Sequence, residues 1–311
     1  MMTVLVTGGY GFIGSNFINL LLNKKEVSKI INIDCMTYAA DINNIPICKV
    51  ENHMIDIIEC DVMYELLTNN NITHVIHFAA ESHVDNSISS PNKFITTNIN
   101  GTFSLLEASR KYRKLKRFHH ISTDEVYGSL GDEGYFTETT PYSPRSPYSA
   151  SKAASDHLVN AYHHTYKLPI TISNCSNNYG PNQNEEKLIP KIIKNIYSGK
   201  KVPIYGNGKN VRDWLYVSDH CEAIWDILTK GSNGETYNIG GDCERNNIEI
   251  LDLICIEMGA DINDFIEYVE DRKGHDFRYA IDFAKINSLL GWSPKVSFNE
   301  GIKKTIDYYI K

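Results

Sequence analysis

The sequence contains no C-x-x-C pair, and its seven cysteines, at positions 35, 48, 60, 175, 221, 243 and 255, are odd in number and irregular in spacing. That pattern indicates neither a zinc knuckle nor a paired redox motif. It predicts reduced, mostly buried thiols in a reducing compartment. No apolar run reaches the length of about 20 residues that a membrane span needs. The opening Met-Met-Thr-Val-Leu-Val-Thr-Gly-Gly lacks the basic stretch and long apolar core of a secretory signal, so the cytoplasm is the expected location. With a net charge of −7 there is no basic surplus to neutralise a nucleic-acid backbone, although a few placed arginines would still hold a small anion. Internal repeats and low-complexity tracts are absent as well. The 311 residues are 42% hydrophobic and 22% charged, which excludes wholesale disorder and suffices for a core of one to one and a half domains.

Short apolar runs alternate with amphipathic stretches through the first part of the chain. Residues 3–7, 30–33, 54–58, 75–78, 118–122 and 170–175 read as buried strands, and residues 12–23, 91–112 and 149–166 as helices. The strand–helix order predicts an α/β fold, a Rossmann-type doubly wound parallel sheet. Residues 128–147 carry Gly, Pro, Ser and Thr without period and read as a loop of the kind that often carries function. After residue 176 the turn signals multiply. The expected organisation is a dinucleotide-binding domain over 1–176, with some later elements returning to it, and a smaller α/β C-terminal lobe over 177–311.

Gly8-Gly9-Tyr10-Gly11-Phe12-Ile13-Gly14 lies between the first strand and the first helix. A tight turn that lets a backbone touch a pyrophosphate at a helix N-terminus needs residues without Cβ. Asp34, roughly 20 residues on at the end of the second strand, would accept hydrogen bonds from ribose hydroxyls and repel a 2′-phosphate, which favours NAD over NADP. Asp61 and Val62 read as ending the third strand within reach of an adenine, with a helix cap as the alternative. Tyr148 and Lys152 form Y-x-x-x-K, which places phenol and ammonium on one helix face. An ammonium there would favour the phenolate, a base able to take a hydroxyl proton. Ser122 and Thr123 end the preceding strand, and Asp124 and Glu125 follow. Adjacent carboxyls repel when both ionise, so one keeps its proton, which divides the pair into an acid and a base.

Together these residues resemble the extended short-chain dehydrogenase/reductases and, within them, the dTDP-glucose 4,6-dehydratase family. The resemblance runs nearly end to end, through Gly8–Ser15, Asp34–Ala39, Ala79–Asp85, Ser122–Gly128, Ser146–Ala153, Cys175–Pro181, Glu186–Pro190, Asn210–Val217 and Asp271–Tyr279. It implies a tightly bound NAD, regenerated each turnover, and an NDP-hexose substrate. Tyr148 would take the 4-hydroxyl proton, with Lys152 beside it and Thr123 steadying the 4-oxygen. Glu125 would take the C5 proton and Asp124 would protonate the departing 6-hydroxyl. Carried over residue by residue, the cofactor contacts are Gly8, Gly11, Phe12, Ile13, Gly14, Asp34, Cys35, Met36, Thr37, Asp61, Val62, Phe78, Ala79, Ala80, Ser82, Thr97, Tyr148, Lys152 and Asn178. The substrate contacts are Ser82, Thr123, Asn177, Lys187, Leu188, Pro203, Tyr205, Arg212, Asn247, Arg272 and His275. Lys273 and Phe277 depart from the family's usual proline and arginine, which leaves thymine or uracil open as the base. The resemblance further implies a homodimer built on helices 91–112 and 148–166, with no metal. A 4-epimerase or decarboxylase on the same scaffold would share Tyr148 and Lys152 without needing Asp124 and Glu125. A non-catalytic NAD-binding regulator would need none of the four.

Overall fold

In the computed structural model, which describes residues 1–310, seven strands form one parallel sheet. The elements of its first half are β1 (Met2–Thr7), α1 (Phe12–Leu21), β2 (Val27–Asp34), β3 (Glu51–Met54), α2 (Cys60–Asn69), β4 (His74–His77), α3 (Val84–Ser89), α4 (Pro91–Phe94), α5 (Thr102–Tyr112), β5 (Arg117–Thr123), α6 (Pro147–Tyr166) and β6 (Ile170–Cys175). There follow β7 (Asn177–Tyr179), α7 (Leu188–Tyr197), β8 (Val202–Tyr205), β9 (Val211–Tyr216), α8 (Val217–Lys230), β10 (Thr236–Ile239), β11 (Glu244–Asn246), α9 (Asn247–Glu257), α10 (Ile262–Phe265), β12 (Ile266–Val269), α11 (Ala284–Leu290) and α12 (Phe298–Tyr309).

The large sheet has the order β10-β6-β5-β4-β1-β2-β3, so the chain reverses direction across the sheet between β1 and β4. The period of two along β1 feeds both faces. Leu5 joins Met63, Leu66, Leu105 and Val159 of α2, α5 and α6 in one core. Val4 and Val6 join Phe17, Ile18, Ile224 and Leu228 of α1 and α8 in the other. β10 comes from late in the chain and pairs with β6, Thr236 opposite Ile172. The remaining strands make a three-stranded sheet, β11-β9-β7, and a parallel pair, β12-β8, packed with α7, α9 and α12 around a third core.

Two local expectations shift. The third strand is Glu51–Met54 rather than 54–58, because its ladder with β2 ends where β2 ends, at Asp34 opposite Met54. The apolar residues beyond it serve other contacts: Ile57 is buried and packs where Gly101 leaves room. The helix over 91–112 is a single rod whose middle, Ile95–Gly101, is π-helical, a distortion frequent at functional sites. Within it, Asn98 is buried, exchanges hydrogen bonds with the Glu81 backbone at 2.8 and 3.0 Å, and donates to Ser151 Oγ at 2.8 Å. It thereby ties the loop after β4 to α6.

Candidate active site

The carboxyl ends of β1 to β6 open into one cavity, where parallel α/β sheets bind their ligands. At its floor the glycine loop is fixed by packing. Gly8 has φ of +73°, and a Cβ there would lie 2.8 Å from the Ala79 nitrogen. At Gly14 a Cβ would lie 2.3 Å from the Gly8 carbonyl oxygen. Gly11 differs, since it lines the cavity and its Cβ would meet only that same oxygen at 3.3 Å. The first turn of α1 that it opens carries no acidic residue, and no side chain caps it. Its free N–H groups and positive dipole end therefore suit an anion. Asp34 accepts hydrogen bonds from the Tyr10 nitrogen at 3.0 Å and the Met36 nitrogen at 2.9 Å. Burial pushes its pKa up, and these bonds hold it down. An open glycine face, an uncapped helix and a carboxylate at the end of β2 together fit a dinucleotide with unphosphorylated ribose.

The opposite end of the cavity carries the ionisable groups. Thr123 ends β5, and its Oγ1 accepts from the Glu125 nitrogen at 3.3 Å, starting the short 3₁₀ turn Asp124–Tyr127. Asp124 is almost wholly buried and its Oδ2 has no partner. Burial, then the charges of Glu125 and Asp213, raise its pKa well above the carboxylate range. Half-buried Glu125 is also raised by burial, but Arg212 and Lys187 act against the shift. The pair is thus uneven, as acid–base division requires. Tyr148 and Lys152 stand on successive turns of α6, whose start is fixed by Pro147 and a reciprocal Ser146–Ser149 cap.

The Tyr148 phenol is pushed up, not down as Lys152 alone would predict. Burial acts first and the Glu125 carboxylate second, while a Thr123 hydrogen bond pulls the other way. The Lys152 ammonium meanwhile spends one hydrogen on the Ile121 carbonyl at 2.7 Å.

Of the expected cofactor contacts, Gly8, Gly11, Phe12, Ile13, Gly14, Asp34, Cys35, Thr37, Phe78, Ala79, Ala80, Ser82, Thr97, Tyr148, Lys152 and Asn178 line this cavity. Asn177 and Lys187 line it too. Met36 lies outside the lining and donates its backbone N–H to Asp34. Asp61 and Val62 require correction. They lie in the first turns of α2, where the Asp61 side chain is 93% exposed and 3.6 Å from Lys111. The strand ends earlier than expected, so the residues that line the cavity there are Asp56 and Ile57.

Leu188, Pro203, Tyr205, Arg212, Asn247, Arg272 and His275 do not line the cavity. Three of them cluster at Asp85, after β4. Arg272 Nε approaches Asp85 Oδ1 at 2.6 Å, Tyr205 OH donates to Asp85 Oδ2 at 3.4 Å, and the His275 ring sits edge-on to Tyr205. Arg212 lies over the Tyr279 ring at 4.2 Å and donates to the Asp276 carbonyl at 3.0 Å.

A family profile described as GDP-mannose 4,6 dehydratase matches residues 5–305. The dTDP-glucose 4,6-dehydratase of Xanthomonas campestris pv. campestris strain B100 is 51% identical over 330 aligned residues, spanning 100% of this chain and 93% of that protein. The chain belongs to the dTDP-glucose 4,6-dehydratase family. Among solved structures, the dTDP-glucose 4,6-dehydratase of Streptomyces venezuelae with NAD bound matches with a TM-score of 0.95 at 42% identity, covering 99% of this chain and 97% of that one. The UDP-glucose 4-epimerase of Thermotoga maritima matches with a TM-score of 0.93 at 30% identity, over 99% and 98% of the two chains. Dehydratase and epimerase therefore share this scaffold, and individual side chains must separate them.

Several lining residues of this dehydratase-family chain escaped sequence reasoning: Asp56, Ile57, Glu81, Cys175, Ser176 and Glu186. Asp56 and Ile57 sit just past the end of β3, so a correct strand boundary would have found them, whereas Cys175 and Ser176 sit at the end of β6, whose boundary was already placed correctly. Glu81 and Glu186 come from loops and left no periodic signal.

Proposed function

We propose that this chain is an NAD-dependent hydro-lyase that converts dTDP-glucose to dTDP-4-keto-6-deoxyglucose. The names of its full-length relatives support both the reaction and the thymine nucleotide. The observation that carries the reading is that Asp124 and Glu125 share one cavity with Tyr148, Lys152 and the glycine loop. NAD, when bound, supplies a reversible acceptor for the hydrogen that leaves C4 and returns at C6. The glycine loop and the first turn of α1 would hold its pyrophosphate, and Asp34 its ribose.

Each remaining step falls to a side chain. Tyr148, which shares the cavity with Thr123, takes the proton of the sugar 4-hydroxyl as C4 is oxidised, and Thr123 then steadies the 4-oxygen. Lys152 favours the phenolate. The C4 carbonyl acidifies the C5 hydrogen, and Glu125, with Arg212 and Lys187 supporting its charge, takes that proton. Asp124, kept protonated by burial, gives its proton to the departing 6-hydroxyl. The proton held by Glu125 returns to C5 as hydrogen returns to C6, and oxidation and reduction balance within one turnover, so the cofactor need never leave. Arg272, Tyr205 and His275 would receive the nucleotide diphosphate end, since a guanidinium that holds a carboxylate through one hydrogen bond and an ion pair suits phosphate equally. Residues 1–176 would then serve the cofactor and 177–311 mainly the nucleotide sugar.

A homodimer fits the exposed apolar side chains of the helical pair, Ile95, Phe103 and Tyr166. Seven free cysteines suit the reducing cytoplasm. Incubation with dTDP-glucose followed by alkali tests the activity, because a 4-keto-6-deoxy product then absorbs in the near ultraviolet. An epimerised product without that chromophore would refute the reading. Competition with UDP-glucose tests the base.

A further inference from the structure

Behind the cavity, on the face of Lys152 turned from it, lies a polar cluster that the reaction above leaves unused. Asp156 follows Lys152 by one turn of α6 and is completely buried, yet it does not line the cavity. Its Oδ2 accepts from Ser122 Oγ at 2.7 Å and from Tyr142 OH at 3.0 Å. Its Oδ1 lies 3.2 Å from His120 Nε2. The same imidazole nitrogen lies 3.4 Å from Lys152 Nζ. A buried carboxylate and a buried ammonium are each costly alone, and such groups persist in cores only with opposite charge and hydrogen bonds nearby.

We infer that Asp156, set beside His120, is a positioning residue that holds Lys152 charged and aimed at the cavity. The inference rests on the reading of Lys152 as the partner of Tyr148. Burial lowers the Lys152 pKa, and Asp156 is the largest influence raising it, ahead of Cys175. Burial raises Asp156 to about 6, and Lys152 is the strongest force against that rise. Each ion therefore sustains the other. Burial and the Lys152 charge keep His120 neutral, so it carries one ring proton. The Lys152 ammonium donates to His120 Nε2 at 3.4 Å, which leaves the imidazole proton on Nδ1, and turns its other hydrogens to the Ile121 carbonyl and the cavity, while Asp156 Oδ1, without a hydrogen-bond partner, acts on it through space.

The His77 ring of β4 packs 5.2 Å from His120 and is neutral through burial. His157 follows Asp156 on α6 and acts weakly on it. Tyr127 and Asn174 reach it only through Tyr142. Above a pH near 6 Asp156 is charged and Lys152 stays an ammonium. Below it Asp156 takes a proton, Lys152 loses its buried counter-charge, and the support for the Tyr148 phenolate weakens.

The test compares full-length wild type, Lys152→Met, Asp156→Asn, Asp156→Glu and Tyr142→Phe, each with its bound NAD quantified, as kcat and KM for dTDP-glucose between about pH 5 and pH 9. In Asp156→Asn, kcat falls about tenfold or more, the acid limb near 6 disappears, and the alkaline limb moves to lower pH, with KM and NAD content little changed. Asp156→Glu restores most of the rate. Tyr142→Phe deletes a donor to the carboxylate and moves the acid limb to higher pH, which keeps the inference testable should Asp156→Asn fail to fold. An Asp156→Asn profile parallel to wild type, or an unmoved acid limb in Tyr142→Phe, overturns it. Wild type inert on dTDP-glucose, or a fully active Lys152→Met, would instead overturn the underlying reading of the site.

Discussion

Replacing Gly11 and Gly14 by alanine separates two roles that a glycine-rich sequence cannot distinguish. A methyl at Gly14 would lie 2.3 Å from the Gly8 carbonyl oxygen and 3.0 Å from both Gly8 C and Gly9 Cα. Ordinary contact requires about 1 Å more than the first distance, so α1 and the loop must part. Overpacking of this kind costs about 1–3 kcal/mol, or very roughly 2–8 °C in Tm for a chain of this size. A methyl at Gly11 meets only that oxygen, at 3.3 Å, and otherwise projects where the cavity opens. Its backbone is extended, φ −75° and ψ 176°, so alanine adds no strain there. We expect Gly11→Ala to melt close to wild type, within the several tenths of a kcal/mol that a helix cap change costs, yet to lose about tenfold or more in NAD affinity. Gly14→Ala should lose both. Thermal melts together with NAD released on acid treatment read the two effects separately. If Gly11→Ala were purified with stoichiometric NAD and wild-type turnover, the loop would not be the pyrophosphate cradle.

Three other outcomes follow from the electrostatics and the arginine contacts. Asp124 titrates in the native state above its unfolded value of 3.8, so the folded protein binds the extra proton and wild-type stability falls as pH rises from there through the native pKa. Asp124→Asn should flatten that part of the urea stability profile while slowing dehydration by about 10²–10⁴, and an unchanged pH slope would count against a protonated Asp124. Glu125→Gln should abolish solvent deuterium uptake at C5 and cut turnover about 10²-fold or more; dehydration at the original rate would sink the base assignment. Arg272→Ala frees Asp85 and removes a guanidinium fork, so KM for dTDP-glucose should rise about tenfold with kcat little altered, and an unchanged KM would place the diphosphate elsewhere.

Much of the site was legible because its parts are local. The glycine spacing, Asp34 at the end of β2 and Y-x-x-x-K on α6 each lie within one strand–helix unit, and backbone geometry projects them from sequence directly. Asp61 and Val62 were misplaced because β3 is a short polar edge strand, Glu-Asn-His-Met, and the apolar residues after it mimic a strand while facing the cavity and core. The shift of Tyr148 could not be foreseen, since its largest electrostatic partner, Glu125, is far in sequence and reaches it only through the junction of β5 and α6.

Sequence by itself determined the order of strands and helices, and hence the doubly wound sheet, because periodicity and turn residues act over a few positions. It also determined which chemical groups were present. Tertiary structure alone decided how those groups are charged: the unpartnered oxygen of Asp124, the Asp156–His120–Lys152 cluster and the pairing of Arg272 with Asp85 join residues up to 187 positions apart. Desolvation and Coulomb forces depend on distance through space, which periodicity along a chain does not encode.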